Sequence, residues 1–204
     1  MNRKALILVD IQNDFAEGGS LAVPNASEII PVVNKLLKLD WDLVVATKDW
    51  HLEGHKSFAS SHGKNVFDVI DWNGAKQVMW PDHCVQGTTG AELHPELHTM
   101  GYIDEYVNKG TDIEVDSYSG FFDNNKINKT ELDDILKDNE INIVYIVGLA
   151  TDYCVKFTAL DAHALGFWTF VITDGVRGLG GVGEAIVEMK REGIEFITSD
   201  QVII

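Results

Sequence analysis

Short unbroken apolar runs alternate along this chain with stretches whose apolar residues recur at helical spacing. Residues 5–9 (Ala-Leu-Ile-Leu-Val) are wholly apolar and stop at Asp10, the signature of a strand buried on both faces. Between 27 and 39, Ile29, Ile30, Val33, Leu36 and Leu37 share one helical face, and Ser27 stands where an N-cap belongs. Further strands are predicted at 43–46, 105–108, 143–147, 168–172 and 195–197, and helices at about 129–137, 153–165 and 183–191. Strands alternating with helices require crossover connections, so the pattern predicts an α/β fold: a three-layer α/β/α domain around a mostly parallel six-stranded sheet. Only 50–102 lacks a clear period, and an irregular segment that long in a compact domain is usually functional.

An open parallel sheet binds ligands at the carboxyl ends of its strands. Asp10 ends the first strand, Asp49 and His51 follow the second, Lys109 ends the third, and Cys154 follows the fourth where the next helix begins. A thiol at a helix start and near a lysine is expected to favour thiolate, and a neighbouring carboxylate can take its proton. Taken singly, each has a blander reading: a packed thiol, a loop carboxylate, a solvated amine. Their arrival on one sheet edge favours a nucleophile system. Six of the seven histidines fall between 51 and 98. In Asp49-Trp50-His51 the outer side chains point the same way if the segment is extended. With His83 as a third ligand, the set suits a catalytic Zn²⁺ or a non-haem Fe²⁺. His55, His62, His94 and His98 compete for that role, and Cys84 reads as a packed thiol.

Composition narrows the field. With 204 residues, 45% hydrophobic and 24% charged, the chain suits one globular domain over 1–204, with a metal-binding loop region at about 49–100. A formal net charge of −16 repels nucleic acid. No run approaches the ~20 apolar residues of a membrane span, and the start lacks the apolar stretch of a secretory signal. Two cysteines in a chain of this size point to free thiols in a reducing cytoplasm.

Several segments resemble nicotinamidases, cysteine hydrolases of the isochorismatase-like superfamily with a Rossmann-like fold. They are 10–15 (DIQNDF) with 18–21, 47–51 (TKDWH), His55 with 57–59, 80–85 (WPDHCV) with 87–88, 109–110, 118–121 (YSGF) and 148–155 (GLATDYCV). They run in order over nearly the whole chain. The resemblance implies hydrolysis of nicotinamide to nicotinate and ammonia, a step of NAD salvage, with activity on pyrazinamide too. It implies a catalytic triad of Asp10, Lys109 and Cys154, and one divalent ion, Zn²⁺ before Fe²⁺ or Mn²⁺, on Asp49, His51 and His83. His55 would stand behind the ligands. Phe15 and Trp80 would sandwich the pyridine ring, with Tyr118 nearby. Tyr153, where some members carry histidine, would stand at the rim. A cis peptide at Leu149-Ala150 is expected, with an oxyanion hole from the N–H groups of Ala150 and Cys154. The partner implied is a small-molecule amide, with no nucleic acid and no membrane; a homo-oligomer stays open, since related enzymes vary.

Two other classes remain. One is a different cysteine amidase of the superfamily, separated by substrate. The other is a non-catalytic metal- or pyridine-binding module, which has no need of Lys109 and Cys154. A redox role lacks a Cys-x-x-Cys pair.

Overall fold

The computed structural model describes residues 2–204. All six expected strands form one sheet: β1 (Arg3–Val9), β2 (Leu43–Asp49), β5 (Glu105–Lys109), β6 (Ile141–Leu149), β7 (Trp168–Arg177) and β8 (Glu195–Ile197). Their spatial order is β5-β2-β1-β6-β7-β8, and every neighbouring pair runs parallel. The sheet is therefore wholly parallel.

The period of two in the apolar runs sorts side chains between two cores. From β1, Leu6 and Leu8 face one side while Ala5, Ile7 and Val9 face the other. Tyr145 and Val147 of β6 join the first side, and Val144 and Ile146 the second. The first face is covered by α1 (Ile30–Leu36) through Ile30, Val33 and Leu36. The second is covered by α2 (Leu132–Asp138), α3 (Lys156–Ala164) and α4 (Val182–Arg191), through Leu132 and Leu136, Ala159 and Ala162, and Ala185 and Met189. These are the three layers the pattern predicts. Among the described residues, no helix is long and apolar enough to cross a membrane.

Three local expectations are corrected. Ser27 does not cap α1: its hydroxyl donates to the Glu17 carboxylate, residues Ala26–Ile29 form a 3₁₀ turn, and Pro31 stands in the first turn of α1. The helix expected from 153 begins as a widened turn, Thr151–Val155, before α3. The irregular segment also holds an antiparallel hairpin, β3 (Val69–Trp72) and β4 (Ala75–Val78). Asn73 and Gly74 join its strands, both at positive φ, as a two-residue hairpin turn requires. The hairpin was invisible to apolar periodicity because Gln77 is its only buried residue.

Strand order reverses between β1 and β6, so a crevice opens at their carboxyl ends. Asp10 leaves β1 there, and Thr151–Val155 leaves β6 there.

Candidate active site

Lys109 is the centre of the site. It closes β5 and is fully buried, an expensive place for an ammonium unless it is paired. Its Nζ lies 2.9 Å from Asp10 Oδ2, donates to Asp49 Oδ1 and to the Ser117 carbonyl at 2.7 Å, and stands 3.4 Å from Cys154 Sγ. Burial alone would push this ammonium toward neutrality. Asp10 and Asp49 outweigh it, and its pKa rises well above the usual lysine range. Asp49 behaves in the mirror sense: burial raises it, but Lys109 and His51 hold it well below the usual carboxylate range.

Asp10 differs from Asp49. Its Oδ1 accepts the Thr47 hydroxyl at 2.7 Å, while Oδ2 has the Lys109 charge nearby and no aligned hydrogen bond. Burial raises its pKa more than Lys109 lowers it. The Cys154 thiol is raised well above its usual value, first by burial, with Asp10 and Asp49 adding to the rise against Lys109. This corrects the expectation that the helix start and the lysine would favour thiolate: complete burial beside two carboxylates wins. The resting group is a thiol beside a carboxylate with an open lone pair and an elevated proton affinity.

Asp49, His51 and His83 each bring one ligand-type atom into a buried cluster in which all lie within 4.8 Å of one another. Both Nε2 atoms stand 3.6 Å from Asp49 Oδ2. Local hydrogen bonds fix the rings. His51 Nδ1 donates to the Gly110 carbonyl at 2.9 Å, and His83 Nδ1 to the Pro81 carbonyl at 2.7 Å. That leaves both Nε2 lone pairs facing the carboxylate, the arrangement metal-binding imidazoles use. His51 Nε2 is buried and has no hydrogen-bond partner. Burial lowers the His51 pKa but Asp49 more than reverses it, so the spot asks for positive charge, which a proton or a metal ion can supply. The donor set of two imidazoles and one carboxylate fits a divalent ion.

The supports are legible in the chain. Gln12 is fully buried and clasps Asp49 by its backbone, accepting its N–H and donating to its carbonyl, each at 2.8 Å. Gly110 takes φ +65°, and a Cβ there would stand 2.4 Å from the His51 ring, so only glycine lets β5 end against that imidazole. His55 sits outside the cluster. Its Nδ1 pairs with Ser57 Oγ and its Nε2 with the Asp112 carbonyl, both at 2.8 Å, while its ring packs 4.3 Å from that of His51. Burial, then His51, lowers its pKa to about 4, so it is a neutral prop. His62 bonds the Lys56 carbonyl elsewhere, and Cys84 is a buried free thiol.

A pocket of ≈ 350 Å³ opens onto both groups and is lined by Asp49, His83, Ala150 and Cys154, with Phe15, Trp80, Tyr118 and Tyr153 as aromatic walls. Trp80 and Tyr153 meet edge-on at 4.9 Å, and Tyr118 and Tyr153 at 5.4 Å. The Leu149-Ala150 peptide is cis. The isochorismatase domain family matches residues 4–201.

The chain belongs to the isochorismatase family. Within it, a nicotinamidase of Escherichia coli is 47% identical over 97% of this chain and 96% of its own length. A solved Acinetobacter nicotinamidase/pyrazinamidase is 42% identical, with a TM-score of 0.95 over 100% of this chain and 99% of that one. A Pyrococcus horikoshii pyrazinamidase, solved in complex with zinc, is 37% identical, with a TM-score of 0.79 over 96% and 99%.

Three further wall residues of this isochorismatase-family pocket, Leu21, Leu179 and Asp116, escaped the sequence reading. Leu21 lies inside the quoted 18–21 segment, and Asp116 stands two residues before Tyr118. Leu179 follows β7 in a glycine-rich stretch that carries no chemical signal. Asp116 is buried, accepting its neighbour Ser117 N–H at 2.8 Å and Gln77 Nε2 at 3.1 Å.

Proposed function

We propose that this chain is a nicotinamidase, an amidohydrolase that converts nicotinamide to nicotinate and ammonia and accepts pyrazinamide. One observation carries the reading: a buried thiol, its carboxylate neighbour and a ready divalent-metal cluster share one small aromatic-walled pocket. The relatives' named activities support the substrate, and the zinc-bound relative supports zinc ahead of Fe²⁺ or Mn²⁺.

Asp49, His51 and His83 would hold the ion, which supplies a Lewis acid for the ring nitrogen of the substrate. Phe15 and Trp80, with Tyr118 and Tyr153, would clamp the ring and exclude water, so that the carboxamide carbon is held at Cys154. Asp10 takes the thiol proton, and Lys109 stabilises the charges that exchange between them. Sulfur attacks the carboxamide carbon while the N–H groups of Ala150 and Cys154 receive the oxyanion; removing one such donor typically costs ~10²–10³ in rate. Asp10 returns the proton to the departing amine, ammonia leaves, and a thioester remains on Cys154. Asp10 then deprotonates water, which cleaves the thioester and restores the thiol with release of nicotinate. On this reading residues 1–204 act as one hydrolase domain whose segment at about 49–100 carries metal ligands, and its two free thiols suit a cytoplasmic setting.

The test is ammonia release from nicotinamide by purified protein, before and after chelation and metal add-back. Release is expected to disappear with the chelator and return with Zn²⁺, Fe²⁺ or Mn²⁺. Release that survives complete metal removal would sink the metal-held substrate. No release with any of the three metals would sink nicotinamide as the substrate.

A further inference from the structure

The segment 148–155 contains a carboxylate that the chemistry above leaves unused. Asp152 is buried in the turn between Ala150 and Cys154, yet it is not part of the pocket lining. Its carboxylate accepts three main-chain N–H groups from one loop. Oδ1 takes Leu179 N–H at 2.9 Å, and Oδ2 takes Gly180 and Gly181 N–H at 3.0 and 2.8 Å. That loop, 178–181, joins β7 to α4, so the carboxylate also sits by the start of a ten-residue helix, where negative charge is favoured.

The loop is shaped to this grip. A Cβ on Gly178 would stand 2.7 Å from Asp152 Oδ1 and 2.4 Å from Val182 Cγ2, so the main chain approaches so closely only as glycine. Its one large side chain, Leu179, enters the pocket wall beside Phe15 and Leu21. The turn that carries the nucleophile thus holds, through its neighbour in sequence, a wall of the pocket in which the nucleophile works. Bonds to a carboxylate are about twice as strong as neutral ones, and three on one loop fix its position.

We propose that Asp152 is a positioning residue: it fixes the 178–181 loop so that Leu179 closes the apolar side of the pocket, and through Leu179 it sets how tightly the substrate ring is held. The substrate part rests on the nicotinamidase reading; the link between Asp152 and the loop does not. Asp152→Asn keeps the size but turns one acceptor into a donor that confronts a main-chain N–H. Gly178→Ala leaves Asp152 intact and pushes the loop away from it, which covers the case in which Asp152→Asn fails to fold.

The experiment combines nicotinamide kinetics with amide hydrogen exchange for the wild type, Asp152→Asn, Gly178→Ala, Leu179→Ala and the double variant Asp152→Asn/Leu179→Ala. Each single variant is expected to raise KM roughly tenfold with a smaller change in kcat. The double variant is expected to be no worse than the worse single one, because both act through the same side chain. Exchange at 179–181 is expected to quicken roughly tenfold in Asp152→Asn and Gly178→Ala, with β1 and β6 unchanged. Additive kinetic losses, a fall in kcat at constant KM, or unchanged exchange at 179–181 would each overturn the proposal. A wild type that releases no ammonia would instead remove the nicotinamidase reading, and exchange alone would still decide the loop link.

Discussion

The two halves of the site are held in different ways. Asp10, Asp49, Lys109 and Cys154 stand at or just beyond the ends of four neighbouring parallel strands, whose ladders fix their main chains. His51, His83 and Trp80 come from the irregular segment, where isolated bridges such as His51 to Val85 and Phe58 to Trp80 replace a ladder and each imidazole is tied to a carbonyl individually. In the strand half the problem is charge, because a buried ammonium and two buried carboxylates must balance one another. In the irregular half the problem is order, because ligand atoms must converge without regular backbone pairing. Chemistry that moves protons sits where the backbone is stiffest; the grip on the substrate ring sits where the backbone is more adaptable.

The sharpest separation of the halves is Cys154→Ala. Turnover of nicotinamide should fall by ~10⁴-fold or more, as for loss of a nucleophile elsewhere, with one bound metal per chain and an unchanged melting temperature. Metal analysis beside the kinetics decides it: if the metal leaves with the sulfur, the halves are not separable.

Lys109→Met attacks the strand half through its charges. With Asp10 and Asp49 left buried without their cation, stability should drop by about 3–5 kcal/mol, read as a shifted midpoint in urea unfolding. Adding Asp10→Asn should restore part of the loss by removing one uncompensated charge. A loss under ~1 kcal/mol, the range of exposed ion pairs, would mean that charge balance is not what the strand half depends on.

The same contrast explains what was legible in the sequence. Unbroken apolar runs such as 5–9 and 143–147 identify strands buried on both faces, and everything at their carboxyl ends could be placed by topology alone, including Asp10, Lys109 and Cys154. Asp49 and His51 were readable because they adjoin a strand. The β3–β4 hairpin was not, since its strands face solvent and carry no apolar alternation. The resting state of Cys154 was misjudged because a helix start and a lysine can be read from the chain, whereas complete burial beside Asp10 and Asp49 cannot. Leu179 and Gln77 were missed because their roles lie in what they touch. Leu179 is one leucine among glycines, and Gln77 meets Asp116 across 39 residues of sequence.

Gly110 joins the halves, and its substitution has the smallest expected effect of this series. It ends the strand-borne segment after Lys109, and its carbonyl orients His51. Gly110→Ala introduces a Cβ 2.4 Å from the imidazole at a φ of +65°, so the ring or the strand end must move. No ligand is removed and no charge changes. Metal affinity should therefore fall by about 10–100-fold, the usual cost of disturbing a residue that orients a ligand. Excess metal should recover most of the turnover, and the distance from Lys109 to Asp10 in a crystal structure of the variant should stay within error. If turnover stays low at saturating metal, the displacement has passed through Lys109 into the charge cluster, and the two halves share one mechanical unit rather than meeting at a glycine.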